Sequence, residues 1–287
     1  MQKNDFTIIV PTLNEEKNLP RLLGDLKKQT FSDFSVIVVD AKSKDSTTQK
    51  AKKLGAKVIV SNKKNVSYQR NLGAKNANTE WIVFMDADNR LPKNFLQGVR
   101  NYIEEKNPDI VSTWISPDSI IKKDKLTATF MNIVMEINKN SKRPYVLESM
   151  IFIKKNLFEK LRGFDSNIPW SEGEDLLIRA GKMGIKLDLI KEPKYTYSFR
   201  RLKKIGTFKM LQNIAQIEII RMVKGELRKE DAGSFYPMDG GSFYSSSEES
   251  KITIQKFISI LFRDNTVRNK SLDALKKSID PWKSLFR

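Results

Sequence analysis

Short apolar runs alternate with helix-like stretches through the first third of the chain. Four runs are rich in β-branched and aromatic residues, at 6–10, 35–39, 57–60 and 81–85. Runs of this kind predict buried strands, the first of which ends at Pro11. Leucines then fall on one face of a helix, at Leu19, Leu22, Leu23 and Leu26. We expect Thr12 or Asn14 to cap that helix. Strands that alternate with helices predict a parallel sheet with crossover connections.

Acidic residues stand where two of these strands end. Asp40 follows the second run, and Asp86 and Asp88 follow the fourth. Because the carboxyl ends of parallel strands line the ligand crevice, we expect these side chains to share one site. Two carboxylates so close repel each other unless a cation or solvent separates them. Oxygen ligands with room for phosphate suit Mg²⁺ or Mn²⁺, so the pattern predicts a metal site, against the plainer alternative of a solvated acidic loop.

A second acidic cluster precedes an apolar helical pattern late in the chain. It consists of Glu172, Glu174 and Asp175. Acidic residues favour the start of a helix through its dipole, which is one sufficient explanation. The other is chemical, because a carboxylate with a raised pKa can take a proton from an attacking hydroxyl group.

Five motifs give the chain a resemblance to a known family. They are PTLNEE (11–16), VVDAKSKDST (38–47), RNLGAKNA (70–77), FMDAD (84–88) and GEDLLIR (173–179). The five motifs occur in the order seen in glycosyltransferase family 2, and the chain resembles that family over most of its length. The resemblance implies an inverting hexosyltransferase with the GT-A fold, an α/β fold whose mixed, mostly parallel sheet is flanked by helices. It also implies a nucleoside-diphosphate sugar as donor, of the UDP or GDP type.

The resemblance also implies roles for individual residues. The nucleoside would be surrounded by Pro11, Thr12, Asn14, Glu15 and Asp40. Asp86 and Asp88 would handle ribose, metal and diphosphate. Asp175 would be the general base, with Glu174 as the reserve candidate.

Two departures from the family pattern bear on these roles. Many relatives carry a second acidic residue after the position of Asp40, where this chain has Ala41 and Lys42. Some relatives place a histidine near the metal, and this chain has none. We therefore expect Mn²⁺ or Mg²⁺ to be held by Asp88, with Asp86 as a second ligand, and by the diphosphate and water.

Three arginines are further candidates for donor binding. Arg70 is expected to open a helix, where its planar fork suits either a diphosphate or an acidic loop. Arg200 and Arg201 follow a β-like stretch at 195–199. They would meet the donor diphosphate or an anionic acceptor, or else belong to a solvated basic turn that continues to Lys203.

Composition sets the expected domain organisation. The 287 residues allow one substantial core and a smaller appendage. We expect a catalytic domain at 1–229, a flexible Gly/Ser/aromatic loop at 230–250 and a helical C-terminal extension at 251–287. The absence of cysteine excludes disulfides and Cys-ligated zinc. No signal sequence or membrane span is visible, so we expect a cytoplasmic protein.

The positive charge is uneven. The net charge is +18, of which residues 194–229 carry +8, from ten Lys/Arg and two Glu, and residues 251–287 carry +6, from nine Lys/Arg and three Asp. Residues 207–224 also show an apolar helical stripe. Together these features suggest peripheral contact with an anionic membrane surface.

The sequence alone leaves several functions open. The preferred one is metal-dependent transfer of a sugar to an acceptor hydroxyl, on a lipid-linked or surface glycan. A polyprenyl-phosphate sugar synthase is the nearest alternative. A nucleotidyltransferase lacks support, because many such enzymes begin with a glycine-rich, basic segment that binds the triphosphate, and this chain has no such segment. A basic nucleic-acid-binding protein is suggested by charge alone, so no nucleic-acid partner is expected.

Overall fold

The structure is a computed structural model that describes residues 5–168 and 171–206. The chain divides into two compact units, and the first contains nearly all of the described residues. The predicted loop at 230–250, the extension at 251–287 and the stripe at 207–224 lie outside the described part and stay predictions. No helix in the described part is long and apolar enough to cross a bilayer.

Seven strands and eight helices make up the described residues. The strands are β1 (Phe6–Thr12), β2 (Phe34–Asp40), β3 (Lys57–Val60), β4 (Trp81–Met85), β5 (Ile110–Pro117), β6 (Met150–Lys154) and β7 (Leu187–Tyr197). The helices are α1 (Leu19–Lys27), α2 (Thr47–Lys53), α3 (Val66–Lys75), α4 (Phe95–Lys106), α5 (Lys122–Asn138), α6 (Lys155–Lys160), α7 (Glu172–Lys182) and α8 (Arg200–Ile205). All four strands predicted from the sequence are present.

One sheet holds all seven strands, in the order β3-β2-β1-β4-β6-β5-β7. The strands β1 to β4 are mutually parallel, β5 and β7 are parallel, and β6 alone runs antiparallel to its neighbours β4 and β5. The predicted mixed, mostly parallel α/β fold is therefore confirmed. The antiparallel β6 matters for the site, because Met150 at its start lies opposite Met85 at the end of β4.

The first strand extends beyond the predicted end at Pro11. It continues to Thr12, which lies opposite Asp40 in β2. Pairing of β1 with β4 stops earlier, at Ile9 and Phe84. Proline lacks a backbone N–H, and it is tolerated here because Pro11 has no β4 partner to which it would donate.

The sheet is covered by helices on both faces. Alternate residues of the central strands enter two separate apolar clusters, so that Ile8 and Val83 lie in one and Ile9 and Phe84 in the other. The four leucines of α1 are buried in the first cluster. Each such side chain contributes about 1.5–3 kcal/mol of burial free energy. This packing explains why the central strands read as nearly continuous apolar runs.

Two local predictions at helices were wrong. The N-cap of α1 is Asn18, and neither Thr12 nor Asn14 caps it. The helix expected to open at Arg70 begins one turn earlier, at Val66, because Asn65 caps it by accepting a hydrogen bond from the Tyr68 N–H at 2.7 Å. Residues 200–205 form the short helix α8 and not a basic turn.

Candidate active site

The site lies at the edge of the sheet where β1, β2 and β4 end and β6 begins. The Asp86 N–H donates to the Ser149 carbonyl at 3.1 Å, which ties the end of β4 to the residue before β6. Asn89 strengthens the same junction by donating to that carbonyl at 2.6 Å. Three groups of polar side chains converge on this edge.

The first group surrounds Asp40, whose side chain is buried. Its carboxylate accepts hydrogen bonds from the Thr12 hydroxyl at 3.0 Å, the Ser43 N–H at 2.8 Å and the Ser43 hydroxyl at 2.5 Å. The loop after β1 is fixed to the same serine, because the Asn14 N–H donates to its hydroxyl at 2.8 Å. Asn14 adopts a left-handed backbone with φ 54° and accepts from the Lys44 N–H at 2.8 Å. The predicted residues Thr12, Asn14 and Asp40 therefore form one preorganised surface, with Pro11 in the strand beneath.

A buried glutamine that the sequence did not single out supports this surface. Gln69 of α3 donates to the Thr12 carbonyl at 3.0 Å and to the Val39 carbonyl at 2.6 Å. It thereby joins the ends of β1 and β2. Its spacing within α3 is that of an ordinary helical residue, so the sequence carried no signal for this contact.

The second group surrounds Arg70, whose side chain is 3% exposed. The guanidinium donates to Glu172 Oε1 at 2.7 Å, to Asp86 Oδ1 at 3.0 Å and to the Glu148 carbonyl at 3.2 Å. Burial alone would lower the pKa of Arg70, but the charges of Asp86, Glu172 and Glu148 raise it. Arg70 thus binds acidic groups and holds them at the end of β4. Its expected role toward the diphosphate stays a prediction.

Glu148 completes this second group and was missed in the sequence. It lies in the segment before β6, where no strand or helix pattern marks it. Its Oε1 accepts from the Gly173 N–H at 2.6 Å, and its Oε2 lies 3.8 Å from Arg70 Nη1. Burial, followed by the charge of Glu172, raises the pKa of Glu148 well above its usual value. The side chain nevertheless keeps 21% exposure.

The third group joins Glu15, Asp88 and Arg200. The Arg200 guanidinium donates to Glu15 Oε1 at 2.7 Å, and its Nε lies 2.9 Å from Asp88 Oδ2. Burial raises the pKa of Asp88 to about 6, with Asp86 and Glu15 adding to the rise and Arg200 opposing it. A cation close to Asp88 would favour its ionised form, as Arg200 already does. Arg201 follows on α8 and is half-buried.

The predicted base lies on the first turn of α7. Asp175 Oδ2 accepts from Arg179 Nε at 2.9 Å and Nη2 at 2.7 Å. Arg179 also donates to the carbonyls of Leu161 and Gly163, so the pair ties α7 to the turn after α6. Glu174 is half-buried beside it. The catalytic roles of Asp175 and Glu174 stay predictions.

The acidic groups include oxygen atoms of the kind that hard cations prefer as ligands. Among the described residues, no three His, Cys, Asp or Glu side chains are grouped so that they alone would hold a metal ion. Asp86 and Asp88 offer carboxylate oxygens, which hard cations prefer. Further ligands would have to come from a phosphate-bearing ligand and from water.

Comparison with known proteins agrees with this geometry. The family model described as Glycosyl transferase family 2 matches residues 7–162. That match covers more than half of the 287 residues. Poly(ribitol-phosphate) beta-N-acetylglucosaminyltransferase TarS of Staphylococcus aureus is 32% identical over 142 residues, which are 44% of this chain and 25% of that protein. The chain thus spans about a quarter of the length of this curated relative.

Solved structures confirm the fold. TarS residues 1–349 of S. aureus, in complex with UDP-GlcNAc, align with a TM-score of 0.59 and 20% identity over 94% of this chain and 83% of that one. The mannosyltransferase PcManGT from Pyrobaculum calidifontis, in complex with GDP-Man and Mn²⁺, aligns with a TM-score of 0.57 and 16% identity over 98% of this chain and 81% of that one. At these identities the likeness establishes the GT-A fold and leaves the substrate open.

Proposed function

Since the chain belongs to glycosyl transferase family 2, we propose that it transfers a sugar from a nucleoside-diphosphate sugar to an acceptor hydroxyl, with inversion and with the help of a divalent cation. The observation that carries the proposal is the convergence of acidic side chains at the carboxyl ends of the parallel strands β1, β2 and β4, namely Asp40, Asp86, Asp88 and Glu15. Crevices of this kind bind nucleotides. The relatives with bound UDP-GlcNAc and GDP-Man agree with a nucleotide-sugar donor.

The surface around Asp40 is the proposed nucleoside site. An ionised carboxylate has about four acceptor positions. Thr12 and Ser43 fill three of those of Asp40, so one remains for a donor group on the base or ribose. Because Gln69 and Asn14 already fix both loops, binding a nucleoside would require little further ordering.

Asp88 and Asp86 are the proposed protein ligands of Mn²⁺ or Mg²⁺. The residues fit such an ion, because carboxylate oxygens are the ligands that hard cations prefer, and the carboxylate of Asp88 lies beside those of Asp86 and Glu15. When bound, the cation stabilises the leaving diphosphate. Arg200, which now contacts Glu15 and Asp88, would turn with Arg201 to meet the diphosphate.

A hydroxyl acceptor is favoured by the acidic side chains around the first turn of α7. A hydroxyl must lose a proton as it attacks the anomeric carbon, whereas a phosphate acceptor is already ionised. The relatedness to a poly(ribitol-phosphate) transferase agrees with a surface-glycan acceptor. A polyprenyl-phosphate sugar synthase remains the second candidate. Its phosphate acceptor needs no base, so its activity would survive replacement of Asp175.

Peripheral contact with an anionic bilayer is also proposed. The +8 segment at 194–229 lies mostly outside the described residues, but α5 offers separate support. It exposes apolar side chains by 46–75%, at Leu126, Phe130, Ile133 and Ile137. Exposed basic residues flank this face, at Lys122, Lys123, Lys125, Lys142 and Arg143. An apolar helical face bordered by cations suits anionic headgroups.

Sedimentation with vesicles tests the membrane contact. Phe130→Asp with Ile137→Asp should reduce binding to vesicles of equal parts phosphatidylglycerol and phosphatidylcholine at low salt. Val60→Asp, an exposed apolar position on β3, is the matched control and should bind normally. If the wild-type protein stays in the supernatant, or if the double variant sediments as well as the control, α5 does not contact membranes.

A thermal-shift panel tests the proposed donor. A ligand that binds only the folded protein raises its stability by RT ln(1 + [L]/Kd), which is about 2.7 kcal/mol at 100 times Kd. UDP-N-acetylglucosamine, GDP-mannose and their free nucleotides should be compared with and without Mn²⁺, beside duplex and single-stranded DNA. We expect a nucleotide sugar with Mn²⁺ to give the largest shift. Stabilisation by DNA alone would instead favour the nucleic-acid-binding class.

A further inference from the structure

Asp25 is an acidic residue at a position where α1 alone would favour an apolar or basic one. It lies among the buried leucines of the helix, and its side chain is 11% exposed. It also belongs to the last turn of α1, where the helix dipole disfavours negative charge. Acidic residues are rarely buried unless they are paired. A specific partner must therefore offset both costs.

That partner is Arg90, two positions after Asp88. Its Nε donates to Asp25 Oδ2 at 2.5 Å and its Nη2 donates to Asp25 Oδ1 at 2.9 Å, so the pair is bidentate. The Leu91 N–H donates to the same carboxylate at 3.1 Å. A bidentate pair of arginine and carboxylate fixes orientation as well as adding energy. Asp25 therefore holds both side chain and backbone at the end of residues 86–91, which we call the acidic loop.

Two further elements hold the acidic loop. The Arg90 N–H donates to the Thr196 carbonyl of β7 at 3.1 Å, and the Thr196 N–H donates to the Arg90 carbonyl at 2.8 Å. At the start of the loop, the Asp86 N–H donates to the Ser149 carbonyl at 3.1 Å. Asp88 thus lies between two anchored positions, 86 and 90.

A second residue at the end of α1 secures the chain that follows the acidic loop. Gln29 donates to the Pro92 carbonyl at 2.8 Å and accepts from the Leu96 N–H of α4 at 2.9 Å. These contacts begin at residue 92, after the loop has ended. The contact of α1 with the loop itself is therefore made by Asp25.

An anchor matters here because the loop carries two carboxylates. Asp86 and Asp88 repel each other when both are ionised and no cation lies between them. Asp88 is also attracted by Arg200, whose Nε lies 2.9 Å from its Oδ2. A loop free to relax would separate the two carboxylates, and a cation would have to reverse that shift. Loss of the groups that orient metal ligands typically weakens metal binding about 10–100-fold.

We propose that Asp25 and Arg90 are positioning residues that hold the acidic loop in the arrangement in which Asp86 and Asp88 bind a divalent cation. This assignment rests on the function proposed above. Because the pair acts on the loop after β4, it sets the affinity for the cation. The nucleoside surface around Asp40 is held by other contacts, so binding of the nucleoside does not depend on the pair.

Calorimetry on Asp25→Asn separates these two effects. Asparagine removes the charge at nearly constant volume and keeps an oxygen for the Leu91 N–H. Mn²⁺ is titrated into protein that holds UDP-N-acetylglucosamine or GDP-mannose, whichever gives the larger thermal shift. The Kd for Mn²⁺ should rise about 10-fold or more. In EDTA, the affinity for the same nucleotide sugar should be unchanged, and kcat at saturating Mn²⁺ should also be unchanged.

Arg100→Gln is the matched control. Arg100 pairs with Asp5 through the same two atoms as the proposed pair, Nε and Oδ2, and at the same distance of 2.5 Å. This control pair joins α4 to the residue before β1, so its loss should leave Mn²⁺ binding unchanged. A double-mutant cycle adds a second check. Arg90→Gln combined with Asp25→Asn should weaken Mn²⁺ binding no more than the more harmful single change, since both remove one contact.

Hydrogen exchange of the protein without metal or nucleotide tests the anchor independently of catalysis. Amides at 86–91 should exchange about 10-fold faster in Asp25→Asn, because the loop opens more often. Amides of β1 and β2 should exchange as in the wild-type protein. The Arg100→Gln control should leave the loop amides unchanged.

The outcomes distinguish this assignment from the proposed function. If wild-type protein binds a nucleotide sugar with Mn²⁺ and Asp25→Asn binds Mn²⁺ equally well, the function stands and the assignment falls, even if the loop amides exchange faster. The assignment also falls if Arg100→Gln weakens Mn²⁺ binding as much as Asp25→Asn does. If wild-type protein binds no nucleotide sugar, the proposed function itself is wrong and the assignment falls with it.

Discussion

Replacing Asp88 with asparagine should make the protein more stable and less active at the same time. The side chain is 19% exposed and faces Asp86 and Glu15 as well as Arg200. Asparagine has nearly the same volume but no charge. It therefore removes the cost of ionising a buried carboxylate without creating a cavity, and it also removes the proposed main ligand of the cation.

The size of the gain follows from the pKa. In the folded protein the pKa of Asp88 rises from 3.8 to about 6. Because the folded state holds the proton more tightly, wild-type stability falls as the pH rises from about 4 to about 6. At 1.36 kcal/mol per pKa unit the loss is about 3 kcal/mol above that window, and the effect of Arg200 is already contained in it. Asp88→Asn should be more stable by this amount at pH 7 and equally stable at pH 3.5.

Urea unfolding followed by circular dichroism, at pH 7 and at pH 3.5, measures both values. In a thermal melt at pH 7, the variant's Tm should rise by about 6–12 °C, given about 2–4 °C per kcal/mol for a domain of this size. Mn²⁺ with donor should stabilise the wild-type protein far more than the variant. Transfer activity at limiting Mn²⁺ should be nearly lost.

Three results would count against this reasoning. A variant that is less stable than wild type at pH 7 would mean that the ion pair with Arg200 outweighs the cost of burying the charge. A gain of equal size at both pH values would show that packing, and not ionisation, is responsible. Full activity at limiting Mn²⁺ would remove Asp88 from the metal site.

The remaining predictions concern the supports of the site. Arg70→Met leaves three carboxylates without their cation and should lower the free energy of unfolding by about 3–5 kcal/mol in a urea titration. Arg100 forms a partly exposed ion pair with Asp5, so Arg100→Met should lower it by at most about 1 kcal/mol in the same titration. Gln69→Leu removes two buried donors and should cost about 2 kcal/mol. Calorimetry should show weaker donor binding in that variant, and unchanged affinity would mean that the ends of β1 and β2 need no such link.

Much of the fold was predictable because its strands are short, apolar and rich in β-formers. The gathering of Asp40, Asp86 and Asp88 at one edge followed from parallel topology alone. The end of β1 was misjudged at Pro11, since tolerance of proline depends on how far β4 pairs with β1. That is a property of register, which no local pattern contains.

The contacts inside the site depended on chain segments far apart in sequence. Arg200 meets Glu15 across 185 positions, and Arg70 meets Glu172 across 102. Glu148 reaches the site because β6 runs antiparallel to β4, a pairing that strand propensity does not specify. The motif containing Asp175 marked α7 correctly, but the partner of Asp175, Arg179, became apparent only from the geometry.

Phosphorus NMR of a reaction mixture tests the central claim most directly. Protein, Mn²⁺ and the nucleotide sugar that gives the largest thermal shift are incubated with water or glycerol as acceptor. We expect nucleoside diphosphate to appear in equal amount to the sugar lost, and Asp88→Asn to slow its appearance at limiting Mn²⁺. Release of pyrophosphate, or of nucleoside monophosphate with sugar phosphate, would contradict glycosyl transfer.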